Sequence, residues 1–321
     1  MIEKLFLVNG VSQDPYYNLA VEEHLLNTVE KGCCILYLWQ NRSTVVIGKN
    51  QNAFAECRTS LLEEEGGTLA RRLSGGGAVY HDLGNLNFTF VMPTEEYDLT
   101  RQIDVILAAC RKLGVPAEKS GRNDILAEGR KFSGNAFYRG TRASSHHGTL
   151  LVAADLEKLG RYLTPSKAKL EAKGVKSVRS RVAKLLEFVP ELTVEQLKKA
   201  LTEAFSEVYG LPAAEMPVPG GDAVEALRQK NASWDWNYGS RPLCTARAEG
   251  RFSWGSAEVL LTVTEGRIAS VKVYSDAMDE SLAENLEDAL RGRKMTLEDL
   301  QQAPMAPEVK ADLLSLLREI L

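Results

Sequence analysis

Histidine and cysteine are scarce in this chain, with four of the first and five of the second in 321 residues. No two cysteines stand in a C-x-x-C spacing and their number is odd, which argues against a disulfide framework or a cysteine-built zinc site and for reduced thiols. The histidines are too scattered for a zinc centre, and spacing assigns no Ser-His-Asp or Cys-His arrangement. Long apolar runs are missing as well. The opening MIEKLFLVNG is too short for a signal peptide or a membrane span, so a cytoplasmic protein is expected. Neither sign of charge is in large excess. The 39 basic and 43 acidic residues leave a net of -4, so nothing draws the whole surface to nucleic acid or an anionic membrane, and any anion site must be local. There is no internal repeat and no low-complexity segment.

What is present suffices for one large domain and one small one. Asp14 as an N-cap, Pro15 at the first helical position, and Val21, Leu25 and Val29 at helical spacing predict a helix over 15–30. Strand-like runs follow at 35–39 and 45–48, then a helix near 54–65 that stops at Gly66-Gly67, then alternation through 68–73 and 87–91. A helix over 98–113 leads into a hairpin-like region from Ile125 to Val152, and helices at about 193–209 and 222–231 come next. Beyond Pro242, strands at 243–254, 257–264 and 267–274 read as a meander, closed by helices at about 279–291 and 307–320. Strands and helices that mix without regular β-α-β alternation predict an α+β fold, divided into domains over 1–245 and 246–321.

Four segments carry the chemistry. In RRLSGGGAVYHDLGN, residues 71–85, three consecutive glycines let backbone N–H groups come close to an anion, and Arg71 and Arg72 stand at the entrance with guanidinium forks suited to phosphate or carboxylate. A Gly triplet alone is an ordinary turn; His81, Asp82 and Asn85 after it favour an anion cradle. The pattern is neither a P-loop nor a dinucleotide fingerprint. In GRNDILAEGRKFSGNA, residues 121–136, Asn123 and Asp124 are compact oxygen donors of the kind that hold magnesium beside phosphates. Lys131 lies between the turn Glu128-Gly129 and a Ser-Gly pair, which would hold its ammonium near fixed backbone. In SSHHGTLLV, residues 144–152, strand alternation turns His146 and His147 to opposite faces, one toward a site and one toward a core. Over 164–184 basic residues accumulate in a Gly-containing stretch that is a solvated loop, a nucleic-acid contact, against which the lack of aromatics for stacking bases speaks, or a lid.

Taken together these segments resemble the lipoate-protein ligase family, nearly end to end. The resemblance is carried by DPYYNLAVEEHLL, LYLWQNRSTVVIGKNQN, LARRLSGGGAVYHDLGNLNFTF, SGRNDIL, GRKFSGNAF, HHGTLLV, AKGVKSVRSRV and ASWDWNYG. It implies a catalytic domain with a mixed sheet like that of class II aminoacyl-tRNA synthetases and biotin ligases, followed by a small α+β accessory domain. It implies an AMP-forming ligase that activates lipoate with ATP and magnesium to lipoyl-AMP. The lipoyl group then passes to a lysine of lipoyl-domain proteins, namely E2 subunits of 2-oxoacid dehydrogenases and the glycine cleavage H protein. A monomer is expected, with no nucleic-acid or membrane partner.

By the same resemblance Lys131 matches the essential lysine that touches the lipoate carboxylate and the α-phosphate. Arg72, Gly77, Ala78, Val79 and Tyr80 match nucleotide-binding positions, with Asn123 and Asp124 near the phosphates and Asp124 as the metal ligand. Trp39, Arg71, Gly76, His81 and His147 fall in the lipoate pocket, and Lys173, Lys176, Arg179 and Arg181 on the loop that covers the adenylate. Leu73 departs from the family in replacing a more polar residue. Two rivals remain: a cysteine-dependent octanoyl or lipoyl transferase of the same fold, which needs a reactive cysteine near these motifs, and a catalytically silent binder of lipoate or lipoyl-AMP.

Overall fold

The computed structural model describes residues 1–121, 123–164, 182–238, 246–264 and 266–320. Lys173, Lys176, Arg179 and Arg181 therefore lie outside the described residues, as do positions 243–245 of the first strand expected in the meander.

The chain is α+β. Its largest sheet is mixed and eight-stranded, in the order 213–215, 4–9, 33–39, 85–93, 143–151, 130–139, 124–127, 117–120. The first three strands pair in parallel and the rest antiparallel. Helices cover both faces, which is why all seven residues of Cys33–Trp39 are buried instead of alternating. Leu36 and Leu38 join Phe88, Phe90, Ile106 and Leu201 in a core beneath the helices Leu99–Lys112 and Val194–Tyr209. Ile35, Tyr37 and Trp39 face the opposite way, against the helices Pro15–Thr28 and Asp222–Ala232. Asp14 caps the first of these, its carboxylate accepting from Tyr16 N at 2.9 Å, with Pro15 where a missing N–H costs nothing.

A three-stranded sheet, order 68–71, 44–47, 79–81, carries the glycine turn between its outer strands. The antiparallel meander 246–252, 255–264, 267–275 forms the third sheet, and the helices Leu282–Leu290 and Pro307–Leu317 bury Val259, Leu261, Ile268, Leu290 and Leu313 against it. No helix among the described residues is long and apolar enough to cross a membrane.

Three segments differ from, or add to, the expected elements. The helix over 54–65 is two short helices, Ala53–Glu56 and Thr59–Glu64, because Arg58 N donates to Tyr162 O and Cys57 bridges to Leu163, so long-range bonds interrupt the helical ladder. The apolar stretch at the start is a strand, Lys4–Asn9, and Leu156–Tyr162 is a helix where none was expected.

Candidate active site

The placement of Lys131 begins with a two-residue turn. Glu128 and Gly129 both have positive φ, 50° and 75°, the mirror-image geometry whose twist matches a tight hairpin. Gly at the second position makes this cheap; Glu at the first does not. The register then slips, so that Ile125 faces Ser133 but Leu126 faces Lys131, a bulge that sends Phe132 into the core and leaves the Lys131 side chain about a quarter exposed. Its Nζ lies 2.6 Å from Asp124 Oδ1. Ala183 N donates to the Lys131 carbonyl at 2.8 Å, holding the backbone from the other side.

Lys131 opens on a cavity of about 300 Å³, at the small end of the range for ligand pockets. The glycine turn supplies Gly76, Gly77, Ala78 and Val79 to its wall, followed by His81. Trp39, Arg72, Asn123 and His147 line it as well. Arg71, Tyr80 and Asp124 do not, although Asp124 touches the lining through Lys131. Tyr80 points away because alternation on Val79–His81 turns it into the satellite core, where its ring meets Tyr162 at 5.4 Å.

The two arginines behave differently from expectation. Arg71, expected at lipoate, is 8% exposed and gives its guanidinium hydrogens to the carbonyls of Gly48, Lys49, Gln51, Trp236 and Asn237, at 2.6 to 3.1 Å. It ties the 48–51 loop to the short helix Trp234–Asn237. Arg72, expected on the nucleotide, lines the cavity but donates to Ser74 Oγ and to the carbonyls of Val46, Gly75 and Gly77. Burial lowers both guanidinium pKa values to about 10, so each remains a cation. Arg72 holds the shape of the glycine turn, and Arg71 joins the 48–51 loop to the short helix. The physical reason is that a buried arginine offers five N–H groups with no water to satisfy them, and loop carbonyls are the nearest acceptors.

Several lining groups carried no legible signal. Arg251, Trp254, Asp276 and Met278 come from the C-terminal meander and the segment after it. That segment is bonded onto the turn: Gly76 N donates to Ala277 O at 2.9 Å and Ser275 N to Asn50 O at 2.8 Å. A Cβ on Gly75 would sit 2.3 Å from Ala277 O, so the contact needs glycine there. One of the N–H groups expected to meet an anion is thus taken by the C-terminal part.

A buried relay runs behind the cavity. Thr89 Oγ1 and His147 Nδ1 both meet Glu22 Oε2, at 2.7 and 2.9 Å, and His147 Nε2 lies 2.7 Å from Ser74 Oγ. Burial works to raise the Glu22 carboxyl, but His147, Thr89 and Arg72 outweigh it and its pKa is lowered. A signal was available, since Glu22 falls on the stripe of Leu19 and Leu26 at helical spacing. His146 faces the opposite way, bracketed by Gln102 and Asn135 and packed among Phe88, Phe90 and Phe137.

His81 and His146 share one consequence. Burial lowers both from an ordinary 6.5 to about 3, so the folded chain keeps them neutral where the unfolded chain takes up protons. The stability they provide is complete above 6.5 and lost as pH falls toward 3, at up to about 1.4 kcal/mol per pH unit per histidine. Melting measured across that window should decline from 6.5 downward, with a shallower slope in His146→Gln. An identical slope in the variant would rule out His146 as a source.

Comparison with known proteins decides the family. Residues 14–206 match the model of the lipoyl protein ligase A/B catalytic domain, and 241–317 that of the bacterial lipoate protein ligase C-terminus. A lipoate-protein ligase A of Psychrobacter cryohalolentis is 42% identical over 308 residues, 93% of this chain and 91% of that one. The chain belongs to the lipoate-protein ligase family. Among solved structures, P. falciparum LipL1 in complex with lipoate superposes with a TM-score of 0.83 at 29% identity, covering 97% of this chain and 98% of that one. The bi-partite lipoate protein ligase of Thermoplasma acidophilum, described with its E2 lipoyl domain, gives 0.65 at 28% identity over 77% of this chain and 100% of that one. A lipoate-protein ligase A bound with ATP gives 0.64 at 28% identity, over 74% and 99%.

A cysteine-dependent member of such a fold would need an accessible thiol. Cys244 lies outside the described residues; among the described residues, Cys33, Cys34, Cys57 and Cys110 are all buried and none lines the cavity. Burial raises each thiol, Cys34, Cys57 and Cys110 to about 12, the opposite of an activated nucleophile.

Proposed function

We propose that this chain is an ATP-dependent lipoate-protein ligase that makes lipoyl-AMP and passes the lipoyl group to a lysine of a lipoyl-domain protein. The observation that carries the reading is the position of Lys131, an ammonium restrained 2.6 Å from Asp124 in one cavity with Gly76, Gly77 and Trp39. Two anions must meet in the first step: a carboxylate oxygen of lipoate attacks the α-phosphorus of ATP, and pyrophosphate leaves. Lys131 counters both charges as a fixed cation. In the second step the carrier's lysine amine attacks the acyl carbon and AMP leaves. No covalent bond to the protein is needed.

Magnesium fits this site as an ion that arrives with the nucleotide. Among the described residues no group of three His, Cys, Asp or Glu could hold a metal, but an ion that keeps its waters and phosphate oxygens needs little more than one carboxylate such as Asp124. Asn123, Gly77, Ala78 and Val79 are assigned to the nucleotide, and Trp39, Gly76, His81 and His147 to lipoate. The relay through Glu22 orients His147. Residues 1–245 form the catalytic domain and 246–321 the accessory one, with E2 subunits and the glycine cleavage H protein as acceptors.

The reading is tested by mass spectrometry of a purified lipoyl domain after incubation with the chain, lipoate, ATP and magnesium. A lipoyl mass increase that requires ATP supports it; modification without ATP, or none, does not. Gly134 offers a finer check. A Cβ there would lie 2.9 Å from Lys131 Nζ and only the ammonium can give way, so Gly134→Ala should displace it. Adenylation should then fall by roughly tenfold to a hundredfold with little change in melting, since small misplacements of a catalytic group carry costs of that order. Undiminished pyrophosphate exchange would show that the ammonium's position is not critical.

A further inference from the structure

The far end of the cavity holds a buried donor with no partner among the described residues. His81 is 3% exposed, its ring lines the cavity, and its Nε2 makes no hydrogen bond. Its other nitrogen decides what Nε2 carries. Asn18 Nδ2 lies 3.0 Å from Ser12 O and 2.9 Å from Gln40 O, two carbonyls that only an amide nitrogen could face. Asn18 Oδ1 in turn accepts from Tyr37 at 3.1 Å. Asn41 Nδ2 in that position would set donor against donor, so it is Asn41 Oδ1 that stands 2.9 Å from Asn18 Nδ2, which leaves Asn41 Nδ2 to donate to His81 Nδ1 at 3.2 Å. A neutral ring that accepts at Nδ1 carries its hydrogen on Nε2.

The sheet places this donor at the end away from Lys131. Gly134, beside the Lys131 ammonium, donates from N to Thr149 Oγ1; Thr149 pairs with Asn87, and Asn87 with Trp39, whose ring meets His81 edge-on at 6.0 Å. Strands lie about 4.8 Å apart, so the strand of Asn87 is about 10 Å from that of Lys131, roughly the reach of an eight-carbon acyl chain whose carboxylate sits at the ammonium. Asn87 is buried there too, with one terminal amide atom unpartnered.

We propose that His81 selects the acyl substrate at its far end, its Nε2–H meeting a sulfur of the dithiolane ring, so that lipoate is preferred to octanoate. This rests on the ligase reading. A saturated tail of the same length would bury the donor without a partner, and sites built around a hydrogen bond reject analogues that cannot accept it. Sulfur is a weak acceptor, so the discrimination is moderate.

The test is acyl-dependent exchange of pyrophosphate into ATP, with lipoate and with octanoate, by the full chain and two variants. In His81→Leu the ratio of kcat/KM for lipoate over octanoate should fall about tenfold, chiefly through KM for lipoate. His81→Gln keeps a terminal N–H and should restore part of the preference. A ratio unmoved by His81→Leu, or a parallel fall for both acids, overturns the inference while exchange itself upholds the ligase reading. Exchange with neither acid in the unaltered chain overturns both. Should His81→Leu not fold, Asn41→Leu removes the donor that sets the tautomer while leaving the ring, and must lower the same ratio; an unchanged ratio sinks the idea.

Discussion

Lys131→Ala should reduce lipoate-dependent pyrophosphate exchange by roughly a hundredfold to a thousandfold, the cost typical of removing one preorganised charge or donor from a transition state. The melting temperature should move little, because the side chain is partly exposed and solvent weakens its ion pair with Asp124. A silent binder of lipoate or lipoyl-AMP would show no exchange to lose, so the unaltered chain separates that alternative at once. Lys131→Arg is the informative companion. It keeps the charge but replaces a compact ammonium, held so near Gly134 that a Cβ there would lie 2.9 Å from it, by a larger planar fork, and exchange should fall although the charge is kept. Exchange that survived the alanine change would remove the basis of the mechanism.

The second large effect concerns folding. Arg71→Leu should destabilise the chain by roughly 3 kcal/mol and lower its melting temperature by about 5 to 10 °C, because five backbone carbonyls lose their donor together. Its KM for lipoate should stay close to that of the unaltered chain. The two measurements discriminate between roles: weaker lipoate binding at constant stability would return Arg71 to the substrate, where the sequence alone had suggested it. Among the described residues the side chain has no carboxylate partner, so it is a cation solvated by backbone, and lysine, with three donors on a flexible stem, should rescue it poorly.

Arg71 and Arg72 illustrate how far a pattern can be read. A guanidinium beside three glycines is suited to an anion, but the same glycines bare the carbonyls that compete for it. Which wins depends on what the 48–51 loop and Trp234–Asn237 bring within 3 Å. Glu22 was legible in principle, as an acid on an apolar stripe, but its partners His147 and Thr89 lie 125 and 67 residues away. Tyr80 was separable from its neighbours by alternation alone. Arg251, Trp254 and Met278 carried no periodic or turn signal that tied them to the site.

The sequence by itself determined the α+β character, the Asp14-Pro15 helix start, the glycine turn and the Glu128-Gly129 hairpin that presents Lys131. These follow from capping, backbone freedom and side-chain period, all of which act over a few residues. Only the tertiary structure decided that Arg72 braces the turn and Arg71 the 48–51 loop, that Glu22, His147 and Ser74 form one relay, and that the C-terminal segment lies on Gly76. Those outcomes depend on which distant acceptor reaches a buried donor first, and local chemistry does not specify what will be nearby once the chain has folded.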